Sequence, residues 1–344
     1  MKRFTRILAM LAVATAAVAL VRAAVPADSV DVKIEEWLTP SNPPYPHDPA
    51  VAPDGSIWYT GQRANVVGRF DPATQQFKEF ALPTPKSGPH GIVADKAGNV
   101  WYTGNAASLI GKIDPKTGKI TEFKMPDPKA RDPHTMAFNS AGLMYFTVQA
   151  GNLVGTLDPK APDGAIKLVS PPTANARPYG IMVNSKDVPF FDEFNAPNIG
   201  SIDPKTLKIT EYPLPDKAAR PRRIAIAKDD TIYYTDYARG FLGHLDPKSG
   251  KVEEFKSPGG PDCKPYAIGI TSDGTVWYAE TGDDMHNMLV RFNPGSQKMQ
   301  TFAIPGGGGT VRNLDIAKGD VIWLAESGVG KIARVTIKSA TTTQ

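Results

Sequence analysis

With one cysteine, Cys263, among 344 residues, the chain cannot close an internal disulfide, so its stability has to come from packing. Long apolar runs are also missing: the uncharged stretch at residues 7–21 has no successor, which leaves no candidate for a membrane-spanning helix. An excess of one charge is missing as well once the first residues are set aside. Lys2, Arg3, Arg6 and Arg22 precede the first acidic residue, Asp28, and account for the whole formal charge of +4. The balanced remainder offers no electrostatic ground for nucleic acid or an anionic membrane as partner.

The start of the chain reads as an export leader. It has a basic opening, a short Ala-rich apolar segment, and small residues at Val25-Pro26-Ala27 where a signal peptidase would cut. Cleavage after Ala27 places the protein in the periplasm or outside the cell. It leaves one domain over residues 28–338 and a short tail at 339–344. Length alone would suggest about two domains at roughly 150 residues each. The repeats argue for one.

A dipeptide of proline and a bulky polar residue recurs as Pro46-His47, Pro89-His90, Pro133-His134, Pro178-Tyr179, Pro221-Arg222 and Pro265-Tyr266, with Val311-Arg312 as a degenerate seventh copy. Its spacing of 43–45 residues is that of propeller blades. An aromatic pair follows each of the first six copies, from Trp58-Tyr59 to Trp277-Tyr278, and Trp323-Leu324 follows the seventh. Asp-Pro turns recur between the third and fourth apolar segments, at Asp71, Asp114, Asp158, Asp203 and Asp246, with Asn293-Pro294 in the sixth copy. Proline fixes φ and the glycine that often follows accepts a left-handed conformation, so these acids read as turn formers rather than ligands.

Four short β-type segments per unit and no room for a helix predict an all-β, seven-bladed β-propeller with four strands per blade. The segment around Lys33 to Trp37 resembles a fourth strand but precedes the first repeat, and the last repeat has only three strands. The N-terminal strand is therefore expected to pair with the last blade and close the ring.

The combination of Pro-His-Gly-Ile, Gly-Asn-Val-Trp-Tyr-Thr, Ile-Gly-Lys-Ile-Asp-Pro and Ile-Thr-Glu-Phe or Ile-Thr-Glu-Tyr resembles the virginiamycin B lyase (streptogramin lyase) family across essentially the whole chain after the leader. The resemblance implies a Mg2+-assisted C–O elimination that opens a cyclic depsipeptide ester. In that family the catalytic set is a histidine after the penultimate blade's proline, a Glu-Pro-His triplet opening the last blade, and a glutamate ending that blade's second strand. Here those positions hold Tyr266, then Thr310, Val311 and Arg312, and finally Glu326; only the glutamate is retained.

Antiparallel geometry brings the start of each first strand and the end of each second strand to one face, beside the central channel. The first set is His47, His90, His134, Tyr179, Arg222, Tyr266 and Arg312; the acidic members of the second are Glu193, Asp236, Glu280 and Glu326. Histidines thus gather on three blades and carboxylates on four, and ion pairs Arg222–Asp236 and Arg312–Glu326 are expected. Such a ring is either a wet polar rim or a binding pocket. As catalytic groups the candidates are Glu326, Glu280, His134 and His90, with His90, Asp132 and His134 forming a second acid/base cluster. His47, Tyr179, Arg222, Tyr266, Arg312, Glu193 and Asp236 are the candidates for substrate contact.

The sixth repeat carries three extra residues, within Gly282 to Asn287. There Asp283, Asp284 and His286 are candidate metal ligands, the alternative being a solvated loop tip. The expected ligand is a small molecule or peptide at the channel mouth, bound by a monomer. Two functions remain open: an exported lyase-like enzyme, or a non-catalytic propeller that binds a ligand or a protein.

Overall fold

A computed structural model describes residues 28–283 and 286–339. The proposed leader, Asp284 of the candidate metal loop, and residues 340–344 of the tail lie outside the described residues. Twenty-eight strands form seven separate antiparallel sheets of four, and no helix occurs among the described residues. Blade one is typical: Pro46–Val51 innermost, then Ile57–Gly61, Val66–Asp71 and Gln76–Ala81 outward. Blade seven takes its first three strands from Val311–Ala317, Val321–Glu326 and Lys331–Ser339, and its fourth from Val30–Leu38. That fourth strand pairs antiparallel with the last one from Val30↔Ser339 to Leu38↔Lys331, closing the ring as expected.

The aromatic pairs build the contacts between blades. Trp58 stacks on Phe80 at 5.4 Å between centroids and shares a buried cluster with Ile92 and Tyr102 of blade two. Trp101 packs in the same way with Phe123, Met136 and Phe146, across blades two and three. The second aromatic explains the glycine in the third strand. Tyr59 lies flat over Gly68 and reaches Glu79 of the fourth strand, with its hydroxyl donating at 2.7 Å; a Cβ at Gly68 would sit 2.0 Å from the ring. Tyr102–Gly111–Glu122 and Tyr234–Gly243–Glu254 repeat the device. The Asp-Pro turns are turns: Asp71, Asp114, Asp158, Asp203, Asp246 and Asn293 each accept from the backbone N–H two residues on.

Each first strand is bulged directly after its opening residue. In blade one Pro46 pairs with Gly61 and Pro49 with Tyr59, so His47 and Asp48 together face Thr60 alone. The irregularity falls at the equivalent place in all seven blades. A hydroxyl secures it: Thr60, Thr103, Thr147 and Thr235 donate at 2.6–2.9 Å to the carbonyls of His90, His134, Tyr179 and Tyr266 on the next blade. Blade four has Asp192 there. One of its oxygens accepts from Gly180 N–H at 2.9 Å, and burial raises its pKa well above the carboxylate range. Its other oxygen is buried without a partner, so the bond that threonine makes to the next blade is missing here.

Candidate functional site

Because two residues bulge at each first strand, two layers of side chains enter the channel. The outer layer is the set expected from the sequence. His47, His90, His134 and Tyr179 stack in succession, with neighbouring ring centroids 3.7, 3.8 and 3.8 Å apart. The Tyr179 and Tyr266 hydroxyls hydrogen-bond to each other across the opening. Arg222 sits among four aromatic rings, its guanidinium carbon 4.0 Å from the Tyr266 centroid, 4.1 Å from Tyr237, 4.6 Å from Phe194 and 5.2 Å from Tyr179. Arg312 donates to the Tyr45 hydroxyl at 2.7 Å, and Arg63 covers the Tyr45 ring at 3.8 Å.

The inner layer was not anticipated. Arg223 crosses the channel from blade five to grip Asp48 of blade one through one nitrogen, at 3.1 and 2.9 Å, and donates to Thr135 at 3.0 Å. Asn313 donates to Asp48 at 3.1 Å, and His47 Nδ1 lies 2.9 Å from the same carboxylate. Asp48 and Arg223 are 1% and 3% exposed, so the two layers form a plug. The sequence did carry a signal for it. Charged residues at the second position after proline, in Pro-His-Asp-Pro and Pro-Arg-Arg-Ile, are out of place in an apolar inner strand.

Charge within the plug is uneven. Burial, then Arg312, Arg223 and Arg222, holds the His47 pKa well below 6.5. Burial, followed by neighbouring imidazoles and guanidiniums, does the same for His90 and His134. All three rings are neutral near pH 7. Burial opposes ionisation of Tyr266, yet Arg222, Arg223 and Arg312 together pull its pKa below 10. Tyr179, buried beside it, is pushed up. Neither Arg222 nor Arg312 joins an ion pair among the described residues, and the Nε of each lacks a partner.

The expected pairs Arg222–Asp236 and Arg312–Glu326 do not form. The bulge turns the residue after proline into the channel, whereas the end of the second strand faces the space beside its own blade. Asp236 is bound by Arg239 Nε at 2.6 Å and by Arg220 N–H at 3.0 Å. Glu193 accepts from Asn198 at 2.8 Å, and burial plus the neighbouring Glu211 pushes its pKa up to about 8. Glu280 accepts from Ser257 at 2.7 Å and Gly259 N–H at 2.8 Å. Glu326 lies beside Glu36 of the borrowed strand, and burial followed by that carboxylate raises it to about 8. Asp132, whose pKa burial raises to about 7, meets Arg177 and Asn105 rather than either histidine of the proposed second cluster.

The implied Mg2+ does not fit this donor set. His47, Asp48 and His90 have ligand atoms within 4.8 Å of one another, but two imidazoles and a carboxylate already bound to Arg223 are a poor match for a hard, oxygen-seeking cation. At the family's catalytic positions a single buried carboxylate, Glu326, is accompanied by Tyr266 and Arg312. In the sixth-blade loop, Asp283 and His286 contact each other at 3.4 Å with side chains 58% and 82% exposed. Asn287 anchors that loop by donating to the Gly309 carbonyl.

The sequence pattern of the virginiamycin B lyase family matches residues 29–288. A sequence comparison with curated proteins finds no match. Among solved structures, a streptogramin B lyase superposes with a TM-score of 0.79 at 26% identity, covering 89% of this chain and 98% of the other. A catalytically inactive histidine-to-alanine variant of virginiamycin B lyase from Staphylococcus aureus, with quinupristin, gives 0.80 at 26% identity over 89% and 99%. Hydrazine synthase of Kuenenia stuttgartiensis, 14% identical with a TM-score of 0.69 over 89% and 97%, shares the fold alone. With seven blades, their order and the family pattern over most of its length, the chain belongs to the virginiamycin B lyase family.

Proposed function

We propose that this protein is an exported ligand-binding propeller that takes a small anion at the channel mouth, in the region where its lyase relatives do their chemistry. The observation that carries this is the charge imbalance of the plug. Of Arg222, Arg223 and Arg312, only Arg223 has a carboxylate partner, Asp48, and the other two have none among the described residues. Guanidiniums held in place by aromatic rings present N–H donors to a carboxylate or phosphate without further ordering. Phe194, Tyr237 and Tyr45, all half-buried at the mouth, offer flat apolar surface beside those donors.

Histidine-dependent elimination is not supported by this arrangement. The three histidines are buried and stacked, and the two family histidine positions hold a phenol and a guanidinium. Calorimetric titration with a panel of aromatic and aliphatic carboxylates and phosphate monoesters tests the proposal. Saturable binding weakened at least tenfold by Arg312→Gln is expected. Absence of anion binding, or binding unchanged by both Arg222→Gln and Arg312→Gln, would refute it.

One observation favours lyase chemistry as a second reading: Glu326 keeps the family's glutamate position, and its pKa of about 8 suits proton transfer near neutrality. Incubation with quinupristin, with and without Mg2+, followed by mass spectrometry, separates the two. Recovery of intact antibiotic supports the binding reading, and ring opening abolished by Glu326→Gln would establish the enzyme.

A further inference from the structure

The plug divides the channel, and its far side encloses a space distinct from the mouth. A cavity of about 530 Å3 begins under the inner layer, at Asp48, Thr135, Arg223 and Asn313, and runs to the ends of the first strands at Ala94, Phe138, Val183, Ile226, Ile270 and Ile316. None of the outer-layer residues lines it. The volume lies in the range of small-molecule sites, ~300–1,000 Å3.

Its wall is mainly apolar, with Asp95, Lys96 and Asn139 placed just beyond the strand ends. Val93, Ala94, Ala137, Phe138, Val183, Ile226, Ile270 and Ile316 line this space and are all only partly buried. Met182, also in the wall, is 42% exposed and is one of two large apolar side chains so exposed among the described residues. The closed end is polar and positively biased. Arg223 forms part of it, with its Nε buried and unbonded, and Arg222 and Arg312 stand one layer above with no carboxylate of their own. Asp48, held by Arg223, is the carboxylate of the plug. Asp315, in the wall, directs its oxygens to the Val51 and Ile316 N–H groups at 2.7 and 2.8 Å, away from the end of the cavity.

We propose that this cavity is a second binding site, for a small amphipathic acid: an apolar chain lying along the strand ends and a carboxylate directed at Arg223. The apolar wall contributes affinity in proportion to the area covered, about 25 cal/mol per Å2, and the guanidiniums select the sign of the head group. The site is independent of the mouth, whose anion needs no chain.

Displacement of the neutral fluorophore N-phenyl-1-naphthylamine from the full chain is the test. Decanoate is expected to displace it saturably, and both acetate and decylammonium at least tenfold less well. Met182→Glu, at an exposed wall position, should weaken decanoate at least tenfold. Ala94→Trp, which fills the cavity, should abolish fluorophore binding at an unchanged melting temperature. The proposal fails if the fluorophore does not bind, if decylammonium competes as well as decanoate, or if Met182→Glu leaves decanoate unaffected. Acetate competing as well as decanoate would also overturn it, and would leave the anion site at the mouth standing.

Discussion

Blades one to three and blades four to seven present the same position of the same repeat to the same channel, yet one half is a column of neutral imidazoles and the other a cluster of guanidiniums and phenols. The centroids of His47 and His134 each lie within 4 Å of that of His90, and burial keeps all three rings uncharged. Opposite them the charges of Arg222 and Arg312 stay uncompensated, because aromatic rings rather than carboxylates surround them. The comparison teaches that symmetry of the scaffold fixes where a side chain points but not its charge state. The halves are coupled: the arginine cluster depresses the histidines, and Arg223 and Asp48 tie the halves together.

The largest effect should come from breaking that tie. Asp48→Ala leaves Arg223 buried without its counter-charge and is expected to cost about 3–5 kcal/mol, lowering the melting temperature by roughly 10 °C. The double variant Asp48→Ala with Arg223→Met should recover much of the loss. A double variant no more stable than the single one would mean that the pair is not coupled.

The arginine half can be sharpened through its displaced acid. Glu326 binds its proton more tightly when folded, with a pKa of about 8, than an unfolded glutamate does at about 4.5. Its stabilising contribution is complete below the unfolded value and is lost as the pH rises through 8. Glu326→Gln stays neutral, so it should melt roughly 4 °C or more above the parent at pH 9 and close to it at pH 4.5. Parallel pH profiles for the two proteins would contradict the assignment.

The histidine half should respond in the opposite direction. Its three imidazoles take up protons less readily when folded, so the unfolded state binds more protons once the pH drops below about 6.5, and stability falls from there downward. Imidazole proton resonances followed by NMR should keep the neutral shifts of these three rings at pH 6. Protonation of any of them near pH 6.5 in the folded protein would show that burial does not control them.

The smallest effect lies within the arginine half, between blades four and five. Asp192→Thr restores the hydroxyl used in four other blades and removes a carboxyl that must stay protonated, and should stabilise by about 1 kcal/mol at pH 7. Destabilisation equal to that of Asp192→Ala would show that the donor across the bulge does not matter.

Much of this architecture was legible because a repeat makes each strand a check on six others. The Pro-His and Trp-Tyr spacing located every blade, and the orphan strand at Val30–Leu38 announced the closure. The convergence of His47, His90, His134, Tyr179, Arg222, Tyr266 and Arg312 followed from the same register. What escaped was the bulge, since one extra residue in a strand has no compositional mark. It moved Asp48 and Arg223 into the channel and placed Asp236 and Glu326 out of reach of Arg222 and Arg312. A regular ladder would put the residues beside each proline and at the end of the second strand within pairing distance. Asp236 instead met Arg239, three residues on, a partner invisible to reasoning between blades.

The borrowed strand has a consequence for the topology of the chain. Val30 and Ser339 are cross-strand partners, so the two ends of the described chain meet on the outer margin of blade seven. A short peptide joining them, with the backbone opened instead at the turn around Gly118 or Gly250, would give a circularly permuted protein with every blade pairing intact. Such a molecule would no longer need its first and last segments to find each other across more than 300 residues, the step that loop-closure entropy makes slowest. Faster refolding of the permuted chain would identify ring closure as the event that completes the native protein.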